Sequence, residues 1–196
     1  MNGVQKSIVL TGFTMAITSI LLLTIGNHAF AIEYTNEKCG IALNYPKDWK
    51  VENQDYIVET LKPIVDLAPD LDDIYNTVSI NLWDISDYRE KTIEYVSEIF
   101  RPLEEDTESG VIQDDILEVG GFPAQKLAYF EGMPGKYEFQ EDKIHIMEIN
   151  ILAYDRIYQI KLEAENQDKF DKYTPFVEEI ANSIKISKPN FEGINC

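Results

Sequence analysis

Histidine and cysteine are scarce in this sequence, which contains two of each among 196 residues. His28 lies in an apolar N-terminal segment, so a Ser-His-Asp or Cys-His site in the rest of the chain would depend on His145. No Gly-x-Ser-x-Gly nucleophile motif accompanies that histidine. A zinc site would have to combine His145 with Cys39 and Cys196, which lack the usual ligand spacing. We therefore expect His145 to be an ordinary strand residue, and we expect no catalytic residues and no enzyme activity.

Basic residues are also few: 17 Lys and Arg stand against 35 Asp and Glu, and the formal net charge is −18. Such a surface repels nucleic acids and anionic lipid head groups, so the composition argues against nucleic acid as a partner. It favours basic partners or cations, or it serves only to keep the protein in solution. Phosphate-binding Gly-rich loops and the dinucleotide-binding fingerprint are absent from the sequence.

The first 31 residues carry a single charged side chain, Lys6, and an apolar run from residue 8 to residue 25. Ala29-Phe30-Ala31 follows with the small-x-small pattern that signal peptidases recognise, which predicts a signal peptide over 1–31 cleaved after Ala31. The run is also long enough for an uncleaved N-terminal anchor. Under both interpretations the protein is exported through the cytoplasmic membrane and is extracellular or in the cell envelope. It would touch the membrane only through an uncleaved N-terminal segment.

No repeat, low-complexity block or flexible linker divides the rest of the chain. This predicts one domain over 32–187, followed by a C-terminal tail over 188–196. An oxidising compartment favours a disulfide between Cys39 and Cys196, which would tie the two ends of the domain together. Two separate thiols are the alternative.

Alternation of apolar and polar residues predicts most of the strands. The predicted strands cover 39–45, a segment beginning at 49, and 76–84, 111–119, 123–130, 144–154 and 157–164. Gly120-Gly121 and Asp155-Arg156 are the predicted hairpin turns. Between Ile146 and Ile149 the apolar positions change parity, which indicates either a bulge near Met147 or a strand covered on both faces.

Apolar residues at three- and four-residue spacing predict two helical segments. The first would follow Asp87 as N-cap and end before Pro102. The second would begin as a short turn over 168–173 and continue as a separate helix that Thr174 caps, with Pro175 at its first position. Its buried stripe would consist of Phe170, Tyr173, Val177, Ile180 and Ile184. The predicted fold class is α+β, a mostly antiparallel sheet flanked by helices.

Several segments resemble the PsbP-like family of exported domains. Residues 34–36 (Tyr-Thr-Asn) and 40–49 (Gly-Ile-Ala-Leu-Asn-Tyr-Pro-Lys-Asp-Trp) resemble its opening strand and Pro-x-x-Trp turn. Residues 121–124 (Gly-Phe-Pro-Ala) resemble its middle hairpin, and 182–184 (Asn-Ser-Ile) resemble the end of its closing helix. The resemblance implies an α/β/α sandwich. It also implies a non-enzymatic accessory or binding role, exerted through an envelope or membrane protein at the outer membrane face.

Acidic residues crowd one predicted loop between the second and third strands. Hard cations such as Ca²⁺ prefer several carboxylate and carbonyl oxygens, so a calcium-binding domain is the alternative function. The segment lacks the Gly and the terminal Glu of an EF-hand, and a solvated loop is the competing interpretation. A third hypothesis, a hydrolase with paired carboxylates, requires two acids in one pocket with raised pKa values. The candidate calcium ligands are Asp66, Asp70, Asp72 and Asp73.

Overall fold

The computed structural model describes residues 31–54, 56–58, 60–71, 75–102, 109–132 and 143–189. The predicted signal segment before Ala31 lies outside these residues, as do Asp72, Asp73, Cys196 and most of the predicted tail. Within the described part of the chain, no helix has the length and hydropathy needed to cross a membrane.

The described chain forms strands in two sheets and two helices. The strands are β1 (Ala31–Asn36), β2 (Ile41–Pro46), β3 (Lys50–Asn53), β4 (Leu61–Ala68), β5 (Thr77–Asp84), β6 (Gly110–Val119), β7 (Phe122–Gly132), β8 (Lys143–Ala153), β9 (Arg156–Ala164) and β10 (Lys185–Ile186). The helices are α1 (Ile93–Phe100) and α2 (Gln167–Ser183). The large sheet has the order β3-β4-β5-β9-β8-β7-β6 and the small sheet the order β1-β2-β10. Neighbouring strands are antiparallel in both.

The two faces of the large sheet are covered differently. Helix α2 and strand β2 of the small sheet pack on one face and form the main core with it. Helix α1 packs on the opposite face through a smaller cluster built from Ile93, Val96, Ile85 and Ile157. The predicted class, a mostly antiparallel sheet flanked by helices, is confirmed. The main core includes Ile41, Leu43, Ile80, Leu82, Ile149, Ile151, Tyr158, Ile160, Tyr173, Val177 and Ile180.

Both predicted hairpins are present, and their turns explain the sharp reversals. Gly120 and Gly121 have positive φ angles of 61° and 85°, as a two-residue hairpin turn of this hand requires. In the β8–β9 hairpin the positive φ angles belong to Tyr154 and Asp155, at 53° and 59°. The predicted turn is therefore wrong by one residue, because Arg156 already pairs with Ala153 as the first residue of β9.

The change of parity in β8 marks a strand buried on both faces. Its pairing with β7 and with β9 runs without a register shift, so the alternative of a bulge near Met147 is wrong. Six consecutive residues, 146–151, are buried. Those on one face meet α2, and those on the other face meet the region under α1.

Helix α1 begins later than predicted. Its N-cap is Thr92, whose Oγ1 accepts a hydrogen bond from the Tyr95 backbone N–H (3.3 Å). Asp87 lies in the preceding connection, where the Tyr88 N–H donates to the Ile85 carbonyl (3.0 Å). Asp87 is thus not the cap, because the chain turns once more before the helix starts.

Helix α2 is continuous from Asn166, its N-cap, to Ser183, and Pro175 lies inside it. The predicted break at Thr174 is wrong, since the Thr174 hydroxyl donates to the Phe170 carbonyl (2.8 Å) within the helix. Proline removes one backbone donor, and the apolar stripe before it stays in line with the stripe after it. The whole predicted stripe of Phe170, Tyr173, Val177, Ile180 and Ile184 is buried.

Strand β4 replaces what we expected to be a loop. Its register against β5 shifts between Pro63 and Val65, which places a bulge at Ile64. A bulge accommodates a proline within a sheet and interrupts the alternation by which strands are recognised in a sequence. Strands β1 and β10 of the small sheet are also additions to the prediction.

Candidate functional site

A row of amide side chains crosses the large sheet on the face that α1 covers. Asn81 on β5, Gln159 on β9, Asn150 on β8 and Gln125 on β7 are successive cross-strand neighbours. We call these four residues the amide row. Asn81 Nδ2 donates to Gln159 Oε1 (3.1 Å), Gln159 Nε2 to Asn150 Oδ1 (3.1 Å), and Asn150 Nδ2 to Gln125 Oε1 (3.4 Å). All four side chains are buried, and the hydrogen bonds offset the cost of that burial.

The amide row continues into helix α1 and strand β6. Gln125 Nε2 lies 2.8 Å from Ser97 Oγ on α1 and 2.8 Å from Asp114 Oδ1 on β6. At the end of α1, Arg101 lies 4.0 Å from the same Asp114 carboxylate. Helix α1 is therefore attached to the sheet by polar contacts towards β6 and by the Ile93–Val96 apolar cluster elsewhere.

Glu148 lies on β8 two residues before Asn150, on the same face, and only 4% of it is exposed. The Tyr129 hydroxyl donates to Glu148 Oε1 (3.1 Å), and Asn150 Nδ2 lies 3.5 Å from Oε2. Burial raises the pKa of Glu148 above its ordinary 4.5, and the charge of Glu131 acts in the same direction. The charge of Lys161 and the two hydrogen bonds oppose that shift. The result is a carboxyl group that is shielded from water but still provided with donors.

Lys161 on β9 is the basic residue closest to this carboxyl in the sheet, as the cross-strand neighbour of Glu148. Its ammonium group forms an ion pair with Glu163 at 2.6 Å. Burial lowers the pKa of Lys161, but Glu163 and Glu148 outweigh that effect and raise it overall. Lys161 therefore stays charged, with its nearest counter-ion on its own strand.

A cavity of about 270 Å³ lies between helix α1 and these polar residues. Its walls are mostly apolar and aromatic, and its polar groups come from β8 and β9. Trp83 and Phe100 pack edge to face with ring centroids 5.3 Å apart, and Trp83 Nε1 donates to Gln159 Oε1 (3.3 Å). Apolar walls with a few placed polar groups are typical of ligand-binding pockets. The lining residues are Trp83, Ile85, Tyr88, Ile99, Phe100, Glu148, Ile157, Gln159 and Lys161.

The cavity contains part of what the hydrolase hypothesis requires. Glu148 is an acid with a raised pKa in a pocket. Glu148 is the one acid among the described lining residues, whereas paired-carboxylate hydrolysis uses two. This arrangement provides a single buried anionic or neutral hydrogen-bonding group, which is suited to holding a ligand.

Sequence reasoning did not predict this site. The signal for it was the change of parity in β8, where Glu148 and Asn150 lie among isoleucines. Polar residues inside an otherwise buried strand need partners, and a buried acid with a perturbed pKa is a functional-site candidate.

The described candidate calcium ligands lie outside the cavity, towards the β3 edge of the large sheet. Asp66 is part of β4, so its expected position in a loop is wrong, and it accepts a hydrogen bond from Gln54 Nε2 (2.7 Å). Asp70 forms an ion pair with Lys50 at 2.7 Å. Asp72 and Asp73 lie outside the described residues. Among the described residues, Asp66 and Asp70 included, no group of three or more His, Cys, Asp or Glu side chains is arranged to hold a metal ion.

The other predicted site residues fall in the small sheet or its neighbourhood. Ala31, the predicted cleavage residue, is the first residue of β1. Cys39 is fully buried, and its carbonyl accepts a hydrogen bond from the Tyr158 hydroxyl (2.9 Å). Because Cys196 lies outside the described residues, the disulfide stays a prediction. His145 is a half-buried strand residue that packs against Phe170 on α2, as expected, and burial lowers its pKa.

Comparison with known families identifies the fold. The sequence profile of PsbP-like proteins matches residues 26–186, which is most of the chain. The chain belongs to the PsbP-like family. Comparison with curated protein sequences gives no significant match.

Solved structures similar to this one share its fold at low identity. Cyanobacterial PsbP (CyanoP) of Synechocystis is 17% identical with a TM-score of 0.57, over 84% of this chain and 96% of that one. LpqN of Mycobacterium tuberculosis is 15% identical with a TM-score of 0.52, over 81% and 91% of the two chains. The Ran-binding protein Mog1p of Saccharomyces cerevisiae is 10% identical with a TM-score of 0.52, over 80% and 95%. At such identities the likeness shows the fold alone.

Proposed function

We propose that this protein is an exported, non-enzymatic accessory protein that binds a protein partner at the outer membrane face or in the cell envelope. The observation that carries the proposal is the cavity under α1. It has three aromatic side chains in its wall, Trp83, Tyr88 and Phe100, and polar groups from the sheet as its floor. Aromatic anchors around a desolvated pocket are typical of binding hot spots.

Family membership and the N-terminal sequence support the same proposal. The similar solved structures include LpqN, which is involved in cell envelope biogenesis, and the Ran-binding protein Mog1p. Those names describe the relatives, and a binding role without catalysis is compatible with both. The apolar segment ending in Ala29-Phe30-Ala31 favours export.

Site-specific photo-crosslinking of the full chain in its native host tests this proposal. A photoreactive phenylalanine analogue replaces Tyr88 in the cavity wall. In a matched control it replaces Tyr154, an exposed aromatic residue in the β8–β9 turn. We expect the protein in the exported or envelope fraction and one partner adduct at position 88 that is absent at position 154. Retention of the protein in the cytoplasm, or equal adducts at the two positions, would contradict the proposal.

A further inference from the structure

We propose that the cavity under α1 binds an organic cation, a primary amine or guanidinium group on an apolar stem, and that the Glu148 carboxylate holds its charge. This inference deepens the proposed binding function, on which it rests, by naming the chemical group that the cavity receives. The argument depends on the size of the cavity, the character of its walls and the charges around its floor.

The size of the cavity suits one side chain or one small molecule. Its volume is about 270 Å³. An apolar cavity of roughly 150 Å³ holds benzene, and drug-sized ligands occupy roughly 300–1,000 Å³. A guest of about ten non-hydrogen atoms, such as an aryl-alkylamine or the end of an arginine side chain, therefore fits between these limits.

The walls favour a guest that is apolar along its stem and cationic at its tip. Trp83, Tyr88 and Phe100 supply aromatic surface, and Ile85 and Ile157 supply aliphatic surface. Alkyl stems gain by leaving water for such a surface, and ammonium or guanidinium groups are attracted to aromatic faces. A fully apolar guest would cover the polar floor without adding a partner for the Glu148 carboxylate.

The charges around the floor favour a cation over an anion. Glu148 faces Tyr129 and Glu131 from β7, and Lys161 and Glu163 from β9. Lys161 lines the cavity itself, but its ammonium group already forms an ion pair with Glu163, so this positive charge has its own anion.

On the α1 side of the cavity, the positive charge at the end of the helix also lies near an acid. Arg101 at the end of α1 lies near Asp114 on β6. The chain as a whole carries a net charge of −18. A guest carboxylate would meet Glu148 and this field unfavourably, whereas a guest cation would meet both favourably.

Binding of a cation would be linked to ionisation of Glu148. Burial raises the pKa of the Glu148 carboxyl, whereas a bound cation would lower it by stabilising the carboxylate. Affinity for the cation should therefore rise with pH through the pKa of Glu148 and level off above it.

Calorimetric titration of the full-length protein tests the inference with three probes of similar size: phenethylamine, the neutral phenethyl alcohol and the anionic phenylacetate. We expect the amine to bind at least about tenfold more tightly than the alcohol, as loss of a charged hydrogen bond predicts, and phenylacetate not to bind. Butylguanidinium should behave like phenethylamine. Glu148→Gln should reduce amine affinity about tenfold and abolish its pH dependence, whereas Glu33→Gln, at an exposed residue of β1 in the small sheet, should reduce it little.

A single-tryptophan variant keeps the test independent of the folding of the Glu148 variant. Trp49 packs against Tyr173 and Phe176 on the opposite side of the sheet, so Trp49→Phe leaves Trp83 as the reporter in the cavity wall. Saturable quenching or enhancement of Trp83 fluorescence by the amine, and not by the alcohol, is the expected result. Equal responses to the two compounds, or no response to either, would overturn the inference.

The crosslinking experiment separates the two sources of the cation and the two proposals. Loss of the adduct at position 88 in Glu148→Gln identifies a lysine or arginine of the partner as the guest. An adduct that survives the substitution, combined with amine binding in the calorimeter, identifies a free amine. If the amine does not bind but the adduct persists, the cation inference alone is overturned. If the amine binds but no adduct forms, the proposed protein partner alone is overturned.

Discussion

Glu148 is a carboxyl group in the middle of a seven-stranded sheet, where an ionised acid without partners would strongly destabilise the fold. Tyr129 and Asn150 provide donors to its two oxygens, and Lys161 contributes a positive charge from the next strand. These partners reduce the cost of burial but leave the pKa raised. Glu148 therefore lowers the stability of the fold when it is ionised, and its carboxyl group lines the cavity.

The raised pKa of Glu148 predicts how stability depends on pH. A carboxyl group whose pKa is higher in the folded than in the unfolded state stabilises the protein below the unfolded value, here 4.5, and loses that contribution as pH rises through the folded value. Relative to the wild type, Glu148→Gln should therefore become more stable as the pH rises from 4.5 to neutrality. The gain should be about 1.4 kcal/mol for each tenfold difference between the acid dissociation constants of Glu148 in the folded and unfolded states. Urea denaturation across this range measures the difference, and a difference that stays constant with pH would refute it.

The acidic residues near β4 make a separate prediction about calcium. If Asp66, Asp70, Asp72 and Asp73 bind Ca²⁺, the ion must compete with Lys50 for Asp70. Ca²⁺ should then raise the melting temperature in a concentration-dependent manner, and Asp70→Asn should remove the effect. Mg²⁺ at equal concentration serves as the control for ionic strength. An unchanged melting temperature and no heat of binding would eliminate the calcium hypothesis.

At the scale of elements, helix α1 determines the outer wall of the cavity. It has only two turns, and its N-cap is provided by Thr92. A helix this short depends on its cap and on the surface it covers more than on intrinsic propensity. Disturbing the cap should therefore loosen the cavity wall before it affects the sheet.

Thr92→Ala should destabilise the protein by about 1 kcal/mol, because the Tyr95 N–H loses its acceptor. Thr92→Ser, which keeps the hydroxyl, is the matched control and should cost much less. Asp87→Ala should change stability by less than about 0.5 kcal/mol, since Asp87 is an exposed residue of the connection. Chemical denaturation measures all three. A larger effect of Asp87→Ala than of Thr92→Ala would show that α1 begins before Thr92.

The elements that the sequence could predict are those whose apolar pattern is local and regular. Strand β5 alternates cleanly, and Gly120-Gly121 identifies the β6–β7 turn although the register of β6 shifts between Val111 and Gln113. Strand β4 was missed because a bulge at Ile64 disrupts its alternation. The predicted helix break at Thr174 was wrong. Pro175 removes a single backbone hydrogen bond, and the apolar residues of α2 are buried both before and after it.

The candidate site was harder to predict because its residues are distant in sequence. Trp83, Phe100 and Glu148 approach one another only once β5, α1 and β8 are assembled. Residue composition draws attention to acids, but the cluster near Asp70 is the conspicuous one in the sequence. Glu148, the acid that lines the cavity, is a single glutamate between Met147 and Ile149 and belongs to no motif.

At the scale of the whole molecule, the small sheet brings the two ends of the domain together. Strand β10 pairs with β2, and the Ser187 N–H donates to the Gly40 carbonyl (2.8 Å). Gly40 has a φ of 69°, and a Cβ at this position would collide with the Ser187 carbonyl oxygen. The approach of these segments places the residues just before the predicted tail beside Cys39.

This proximity supports the predicted disulfide between Cys39 and Cys196. Intact mass measurement should give a protein 2 Da lighter without reductant than with it, as formation of one disulfide requires. Cys196→Ser should then destabilise the protein by about 2–5 kcal/mol, mainly through a less restricted unfolded chain. Reduced wild type is the control and should match the variant. Equal masses with and without reductant would show that the two thiols are separate.

The amide row also bears on how this sequence can change over generations. Each amide donates a hydrogen bond to the next one along the row, from Asn81 through Gln159 and Asn150 to Gln125. Replacing one amide by an apolar residue would leave the neighbouring donor or acceptor buried without a partner. Single substitutions along the row are therefore disfavoured, and compensating pairs are tolerated. The four positions should be inherited as a unit, and their divergence among relatives would mark lineages in which the sheet beneath α1 was rebuilt.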